Sequence, residues 1–316
     1  MLDVIIIGGG PAGLAAALTL GRAHRTVLLL DAGEGRNAPA GAVHNFFTRD
    51  GTPPTEVRRI GHEQLGAYPS VRTRNVAVDE VGRLPDDGFE VRPAGGGAER
   101  GRRLLLATGL ADELPPISGV EELWGRSAFH CPYCHGYEVS GGRVAVIGAG
   151  PDRVRLALHL SRFTDDVVLC TGGAPLEPAM RDLLARNGIP ARCEPITRLE
   201  GEDGRIRQIV FEGAQPLARD ALFVKTTLRQ RSGIAGKLGC AGFPDSTVEV
   251  DEFGRTSVPG VYAAGDMARR ATVPMPLAAV VAAAASGTVA AGVLDQDLLS
   301  ADFALPAPFP AGKDQA

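Results

Sequence analysis

Two cysteines separated by two residues are flanked on both sides by histidine, as His130, Cys131, Cys134 and His135. Cysteines at this spacing can close a small disulfide ring or ligate a metal ion. Zinc would need two further ligands, and the two histidines are the obvious candidates, yet residues so close in sequence can hardly all point at one ion. The sequence contains no second pair of this kind. We therefore predict a redox-active dithiol at Cys131 and Cys134, and no metal site.

The overall composition argues against several classes of protein. The chain has 316 residues, which is enough for two domains, and 44% of them are hydrophobic. A net charge of −4 and an aromatic content of 5% argue against a nucleic-acid partner. Of the five cysteines, Cys170, Cys193 and Cys240 are isolated, which argues against a secreted disulfide scaffold.

Neither a secretory signal nor a membrane span is expected. The apolar N-terminal run has no basic segment before it, and glycines follow it at once. The Ala- and Val-rich stretch 277–293 is interrupted by Ser286, Gly287, Thr288 and Gly292, so it predicts a buried, closely packed helix. These features favour a cytoplasmic protein without a membrane partner.

A glycine-rich turn near the N-terminus is typical of dinucleotide binding. It lies between an apolar strand at 2–7 and an apolar segment with helical spacing at 14–20, and the next apolar strand ends in an acid. In such a unit the glycines permit the turn, the approach of a pyrophosphate to the helix N-terminus and close helix packing, while the acid binds a ribose. The cofactor-binding residues predicted here are Gly8, Gly9, Gly10, Pro11, Ala12, Gly13 and Asp31.

Two further strand ends indicate that the dinucleotide is FAD. The apolar strand at 104–106 closes on Ala107, Thr108 and Gly109, and the strand at 260–264 closes on Gly265 and Asp266. Asp266 can accept hydrogen bonds from a ribitol chain, which FAD has and NAD lacks. Together with the first turn, these elements resemble the FAD domain of the two-dinucleotide flavoprotein disulfide reductases.

The order of the motifs resembles the low-molecular-weight thioredoxin reductases over nearly the whole chain. A FAD turn comes first, a C-x-x-C precedes a second glycine-rich turn, and an Ala-Gly-Asp turn lies near the C-terminus. The resemblance implies an α/β fold of two Rossmann-like dinucleotide-binding domains, one inserted in the other. We predict a FAD domain at 1–112 and 240–316, and an inserted NAD(P)-like domain carrying the C-x-x-C at 113–239. It also implies a homodimer.

The residues around the dithiol are similar to a narrower branch of that family. Thioredoxin reductases usually carry Asp directly after the second cysteine, where this sequence has His135. The segment 130–138 instead resembles the dithiol oxidases that close disulfides in small antibiotics and toxins of the holomycin and gliotoxin kind. His135 and, second, His130 are candidate bases, and Glu138 is expected to orient one of them.

The resemblance implies further contacts to the flavin. The loop after the ribose acid would cover the flavin, and the segment 269–276 would direct the positive end of the Ala-rich helix at its ring, with Pro274 and Pro276 suiting the helix start. The residues implied in these roles are Arg36, His44, Asn45, Thr272 and Val273.

The second glycine-rich turn departs from the pattern of an NAD(P)H site. It reads Gly-Ala-Gly-Pro-Asp-Arg, so Arg153 stands where Gly or Ala is expected. The next strand ends in Thr171-Gly172-Gly173, which offers neither an arginine cluster for a 2′-phosphate nor an acid for a ribose. Farther on, Lys225 and two threonines stand where a reductase of this type would normally have a small glycine-containing turn. We expect that NAD(P)H is not used efficiently, unless Arg153 or Arg155 takes the phosphate of a divergent site.

These observations predict a FAD-dependent dithiol oxidase for a small antibiotic or toxin. A substrate thiolate would attack the disulfide at Cys131, the second substrate thiol would resolve the mixed disulfide, and Cys134 would face the flavin by resemblance. Molecular oxygen would take the electrons and give hydrogen peroxide. The alternative enzyme is an NADPH-dependent thioredoxin-type disulfide reductase, and the alternative of another class is a flavin-bound redox sensor.

Overall fold

The chain forms two compact units in the computed structural model, which describes residues 1–309. The first unit comprises Met1–Ala38, Pro54–Ala111 and the chain from Leu228 onward. The second comprises Pro39–Pro53 and Asp112–Thr227. Each unit has its own parallel sheet and its own hydrophobic cores.

The units differ from the predicted division at two places. The second unit ends at Thr227 rather than at 239, because Ile234 and Ala235 are buried in a core of the first unit with Phe89. The loop Pro39–Pro53 belongs to the second unit, where a Cβ on Gly125 would lie 2.7 Å from Pro39. Neither contact has a local sequence signal.

Both units contain strand–helix–strand segments, and both also contain runs of consecutive strands. In chain order the strands are β1 (Leu2–Ile7), β2 (Val27–Asp31), β3 (Val71–Asn75), β4 (Val78–Arg83), β5 (Phe89–Pro93), β6 (Glu99–Leu106), β7 (Leu110–Glu113), β8 (Ala128–Phe129), β9 (Val144–Ile147), β10 (Val167–Cys170), β11 (Ala191–Arg192), β12 (Ile196–Glu202), β13 (Arg205–Phe211), β14 (Ala214–Ala218), β15 (Ala221–Phe223), β16 (Thr227–Gln230), β17 (Val248–Glu249), β18 (Val261–Ala263) and β19 (Ala268–Arg269). The helices are α1 (Pro11–Arg22), α2 (Pro54–Leu65), α3 (Val120–Leu123), α4 (Pro132–His135), α5 (Pro151–Leu160), α6 (Pro178–Arg186), α7 (Ile234–Lys237) and α8 (Val280–Phe303).

The first unit is built on a seven-stranded sheet in the order β3-β2-β1-β6-β5-β4, with β18 also paired to β6. Strands β3, β2, β1, β6 and β18 run parallel. The four residues from Val4 to Ile7 are all buried, as expected of a parallel strand covered on both faces. Helix α1 packs on α8 so closely that a Cβ on Gly287 would overlap the backbone of Ala12.

The second unit repeats the same plan with shorter strands. Its parallel sheet has the order β11-β10-β9-β15-β8, and helix α5 connects β9 to β10. A separate antiparallel sheet has the order β12-β13-β14. The strand before the glycine-rich turn, β9, lies in the centre of its sheet, as in a doubly wound nucleotide-binding fold. The predicted α/β class with two Rossmann-like domains is thereby confirmed.

The Ala-rich segment near the C-terminus is a helix, but it begins later than predicted. Its first residue is Val280, and Ala279 before it is extended, with φ −142° and ψ 144°. Proline disfavours helical backbone in the residue before it, which accounts for Val273 and Met275, while the three residues after Pro276 also lie outside the helix. Within residues 1–309, no helix has both the length and the apolar character needed to cross a membrane.

Candidate functional site

The three predicted turns of the first unit lie at one edge of its sheet. Ile7, Leu106 and Ala263, the last residues of β1, β6 and β18, are neighbours in register. Because these strands are parallel, the residues that follow each of them meet at the carboxyl edge of the sheet. This is the edge at which open α/β sheets bind dinucleotides.

The first glycine-rich turn has the shape of a phosphate cradle. Gly8 has φ +111°, and a Cβ there would overlap the carbonyl group of Ala107. A Cβ on Gly13 would overlap the carbonyl oxygen of Gly8, so this glycine sets the close packing of α1 on the turn. By contrast, the space beside Gly10 is open, and α1 begins there without a side-chain cap. The free N–H groups at this end suit a pyrophosphate.

Asp31 ends β2 beside this turn and is held as a carboxylate. It is 6% exposed, pairs with Arg58, and its Oδ1 accepts a hydrogen bond from the Gly33 N–H at 3.1 Å. Burial opposes ionisation, but contacts to His62, Gly33 and Arg58 hold the pKa of Asp31 below its ordinary range. Arg58 and His62 were missed by the sequence analysis; their i, i+4 spacing on α2 was the only local signal.

Hydrogen bonds hold the C-terminal turn, Gly265 and Asp266, at the same carboxyl edge of the sheet. The Gly265 N–H donates to Ser286 Oγ at 2.9 Å, and Arg36 Nη1 donates to Asp266 Oδ2 at 3.0 Å. The predicted residues Arg36 and Asp266 therefore lie together. Thr108 follows β6 and its hydroxyl donates to the sulfur of Met267 at 3.3 Å. These residues extend the cradle from a phosphate site to one that suits a longer dinucleotide.

Thr272 and Val273 do not lie at the start of a helix, contrary to expectation. They precede α8 by seven or more residues, and the Val273 N–H donates to the Arg270 carbonyl at 3.1 Å. Pro274 directly follows Val273 and disfavours helical backbone there. A flavin contact through these two residues stays a prediction.

The dithiol of the second unit is a disulfide at the start of α4. Cys131 is the residue before the helix, Cys134 lies within it, and their Cα atoms are 5.3 Å apart. The Cys134 N–H donates to Cys131 Sγ at 3.2 Å, which would stabilise a thiolate on Cys131 once the disulfide opens. Tyr133 between them is 73% exposed. Both cysteines are themselves partly exposed, as exchange with a small thiol requires.

His135 is placed in an apolar setting that keeps it neutral. Its ring stacks on Phe129 with centroids 4.2 Å apart, and its Nδ1 is buried without a partner. Burial, together with the nearby His130 and His44, lowers the pKa of His135 to about 4. At neutral pH this imidazole is therefore uncharged and carries no proton to give as an imidazolium. His130 stacks on Trp124 at 5.5 Å.

His44 and Asn45 lie in the second unit against the dithiol segment. His44 Nε2 is 3.3 Å from Glu138 Oε1, and the Asn45 amide donates to the Tyr133 carbonyl. Glu138 faces His44, some ninety residues earlier in the chain, and its expected role in orienting His130 or His135 stays a prediction. The predicted flavin contacts of His44 and Asn45 stay predictions.

Two dinucleotide folds and a disulfide-bonded C-x-x-C define the class of protein. The model of the pyridine nucleotide-disulphide oxidoreductase family matches residues 2–287, and the chain belongs to this family. It is a flavoprotein thiol-disulfide oxidoreductase with FAD as its cofactor. The thioredoxin-reductase-like identification made from the motifs is confirmed.

Among its relatives, the chain is 34% identical to thioredoxin reductase tcpT of Claviceps purpurea over 279 residues, covering 84% of this chain and 86% of that one. The crystal structure of HlmI superposes with a TM-score of 0.88 at 40% identity, covering 96% and 94% of the two chains. The structure of a putative thioredoxin reductase from Bacillus anthracis superposes with a TM-score of 0.89 at 32% identity, covering 96% and 100%.

Proposed function

We propose that the protein oxidises a small-molecule dithiol to an intramolecular disulfide, with molecular oxygen as acceptor and hydrogen peroxide as product. The substrate class is a compact dithiol of an antibiotic or toxin, as the resemblance around residues 130–138 implies. The observation that carries the proposal is that an imidazole, His135, directly follows Cys134, at the position where thioredoxin reductases usually carry Asp. A dithiol oxidase must remove protons from incoming thiols, whereas a disulfide reductase must supply them to departing thiolates.

The proton and sulfur steps follow from the arrangement of the cysteines. A substrate thiol passes its proton toward His135 as its sulfur attacks Cys131, which breaks the disulfide and leaves the electron pair on Cys134. The second substrate thiol then attacks the substrate sulfur and expels Cys131 as a thiolate, which the Cys134 N–H stabilises. FAD, when bound, supplies the acceptor for the two electrons left on the cysteine pair. Overall, one dithiol and one O2 give one disulfide and one H2O2.

The glycine-rich turn after β1 fits FAD, and the residues around it would hold the cofactor. Gly10 and the open N-terminus of α1 would bind the pyrophosphate, Asp31 a ribose and Asp266 the ribitol chain. In solution we expect a homodimer, as the family resemblance implies.

An NADPH-dependent disulfide reductase is the second candidate, because relatives carry the name thioredoxin reductase. One experiment separates the two functions. Oxygen uptake is measured with reduced holomycin-like and gliotoxin-like dithiols, beside anaerobic mixing of the flavoprotein with NADPH. We expect oxygen uptake with equimolar peroxide and no rapid bleaching by NADPH. Rapid bleaching without dithiol-dependent oxygen uptake would establish the reductase instead.

The depressed pKa of His135 predicts a pH dependence of stability. The unfolded chain binds a proton at His135 below about pH 6.5 and the folded chain only below about 4. Between these values the unfolded state holds more protons, so the stability that neutral His135 supports is lost as the pH falls. Urea unfolding at pH 7, 5.5 and 4.5 should show a steeper loss for the wild type than for His135→Gln. Parallel losses in both proteins would mean that His135 titrates normally.

A further inference from the structure

The second glycine-rich turn can be compared with the first, position by position. The first reads Gly8-Gly-Gly-Pro-Ala-Gly13 and the second Gly148-Ala-Gly-Pro-Asp-Arg153. Both follow a central parallel strand and open a helix, α1 and α5, with proline at its first position. The two turns therefore differ in chemistry at their last two positions, while the backbone plan is shared.

The space that is open in the first turn is filled in the second. Nothing lies within 4 Å of a Cβ placed on Gly10, whereas one placed on Gly150 would lie 2.5 Å from Asp152 Oδ1. A Cβ on Gly148 would lie 2.9 Å from Cγ of Arg153. The side chains of Asp152 and Arg153 thus fold back over the glycines that must approach a pyrophosphate.

These side chains form a compact ion group at the helix start, with one carboxylate between two cations. Asp152 Oδ2 lies 3.2 Å from Arg153 Nε and 3.3 Å from Lys225 Nζ. Burial raises the pKa of Asp152, but the charges of Arg153 and Lys225 outweigh it and hold the pKa below its usual value. Arg153 is 15% exposed, and its buried Nη1 has no partner. A carboxylate therefore lies at the end of α5 that favours anions.

The ribose position of the second unit is altered as well. Strand register pairs Ile7 with Leu30 in the first unit and Ile147 with Cys170 in the second. Thr171 consequently corresponds to Asp31. It is 4% exposed and its hydroxyl has no hydrogen-bond partner, so no carboxylate is present there to accept a ribose hydroxyl.

We propose that the second nucleotide turn is closed by the chain's own ion group, in which the Asp152 carboxylate takes the place of a phosphate and Arg153 and Lys225 supply its counter-charge. The turn does not bind a nicotinamide dinucleotide, because the pyrophosphate would lie against the Asp152 carboxylate and the aliphatic part of the Arg153 side chain. Asp152 and Arg153 thereby act as specificity-determining residues, which leaves the dithiol as the electron donor. The inference deepens the proposed function. Only the assignment of the dithiol as electron donor rests on that function, and the closed turn does not.

The test restores the chemistry of the first turn in the second. The double variant Asp152→Ala/Arg153→Gly has the sequence Gly-Ala-Gly-Pro-Ala-Gly, and Arg162→Ala, an exposed change just beyond the same helix, is the matched control. NADPH and 2′-phospho-ADP-ribose are titrated into each FAD-loaded protein by calorimetry. We expect no saturable binding to the wild type or Arg162→Ala up to about 1 mM, and at least about tenfold tighter binding to the double variant, since the carboxylate and the arginine stem that cover the turn have been removed and Lys225 remains.

The outcomes separate this inference from the proposed function. Saturable wild-type binding that Arg153→Ala weakens would show that Arg153 binds a phosphate, and would overturn the proposal. A folded double variant that binds no better than the wild type would also overturn it. Should the double variant not fold, inhibition of wild-type dithiol oxidation by millimolar 2′-phospho-ADP-ribose would still count against closure. Failure of dithiol oxidation in a wild type that binds no NADPH would refute the proposed function and leave the closed turn standing.

Discussion

Replacing either Cys131 or Cys134 by serine is expected to lower dithiol-dependent oxygen uptake by roughly 10³-fold or more, because neither variant can form the disulfide that the substrate attacks. Flavin content should not change, since the FAD cradle lies in the other unit. The matched control is Cys193→Ser, which removes a half-exposed free thiol of the same unit and should keep wild-type activity. Oxygen electrode traces at equal flavin concentration make the comparison.

The two serine variants should also differ from each other. In Cys134→Ser, the free Cys131 thiol can attack the oxidised product and retain it as a mixed disulfide, with the whole mass of the product added. In Cys131→Ser, the corresponding adduct at Cys134 should form more slowly, since it lacks the hydrogen bond that the Cys134 N–H gives to Cys131. Intact-mass spectrometry over time measures how fast each adduct forms. Wild-type turnover in either variant would remove the dithiol from the mechanism.

Replacing Gly13 by alanine is expected to reduce FAD occupancy by about tenfold or more, through overpacking against backbone that cannot yield. The added Cβ would overlap the Gly8 carbonyl oxygen and push α1 away from the turn that carries the phosphate site. Overpacking of this kind typically costs about 1–3 kcal/mol, so the unfolding temperature should fall as well. The ratio of flavin to protein absorbance after purification measures occupancy.

Gly292→Ala is the matched control for the glycine prediction. Gly292 lies within α8, and no atom lies within 4 Å of a Cβ at this position. Alanine in an uncrowded helix position should stabilise slightly, by about 0.4–1 kcal/mol. Full FAD occupancy in Gly292→Ala and a marked loss in Gly13→Ala would confirm that the contact matters rather than the glycine itself. Equal occupancy in both variants would contradict the role of Gly13.

The local parts of the site were predictable from the sequence. The strand–turn–helix around Gly8 to Gly13, the acid at Asp31 and the C-x-x-C are all set by neighbouring residues. Backbone freedom at glycine, the fixed φ of proline and the run of β-branched residues act within a few positions. The departure at Arg153 was also visible, because it interrupts a short pattern. These local features were enough to predict the α/β class, the FAD cofactor and the redox-active dithiol.

The tertiary structure decided the protonation of His135 and the state of the second turn. His135 stands next to Cys134 in sequence, but its neutrality comes from the Phe129 ring and from burial. Glu138 pairs with His44, and Arg153 and Lys225 both pair with Asp152. Desolvation and charge pairing depend on distance in space rather than on position along the chain, so no local pattern reports them.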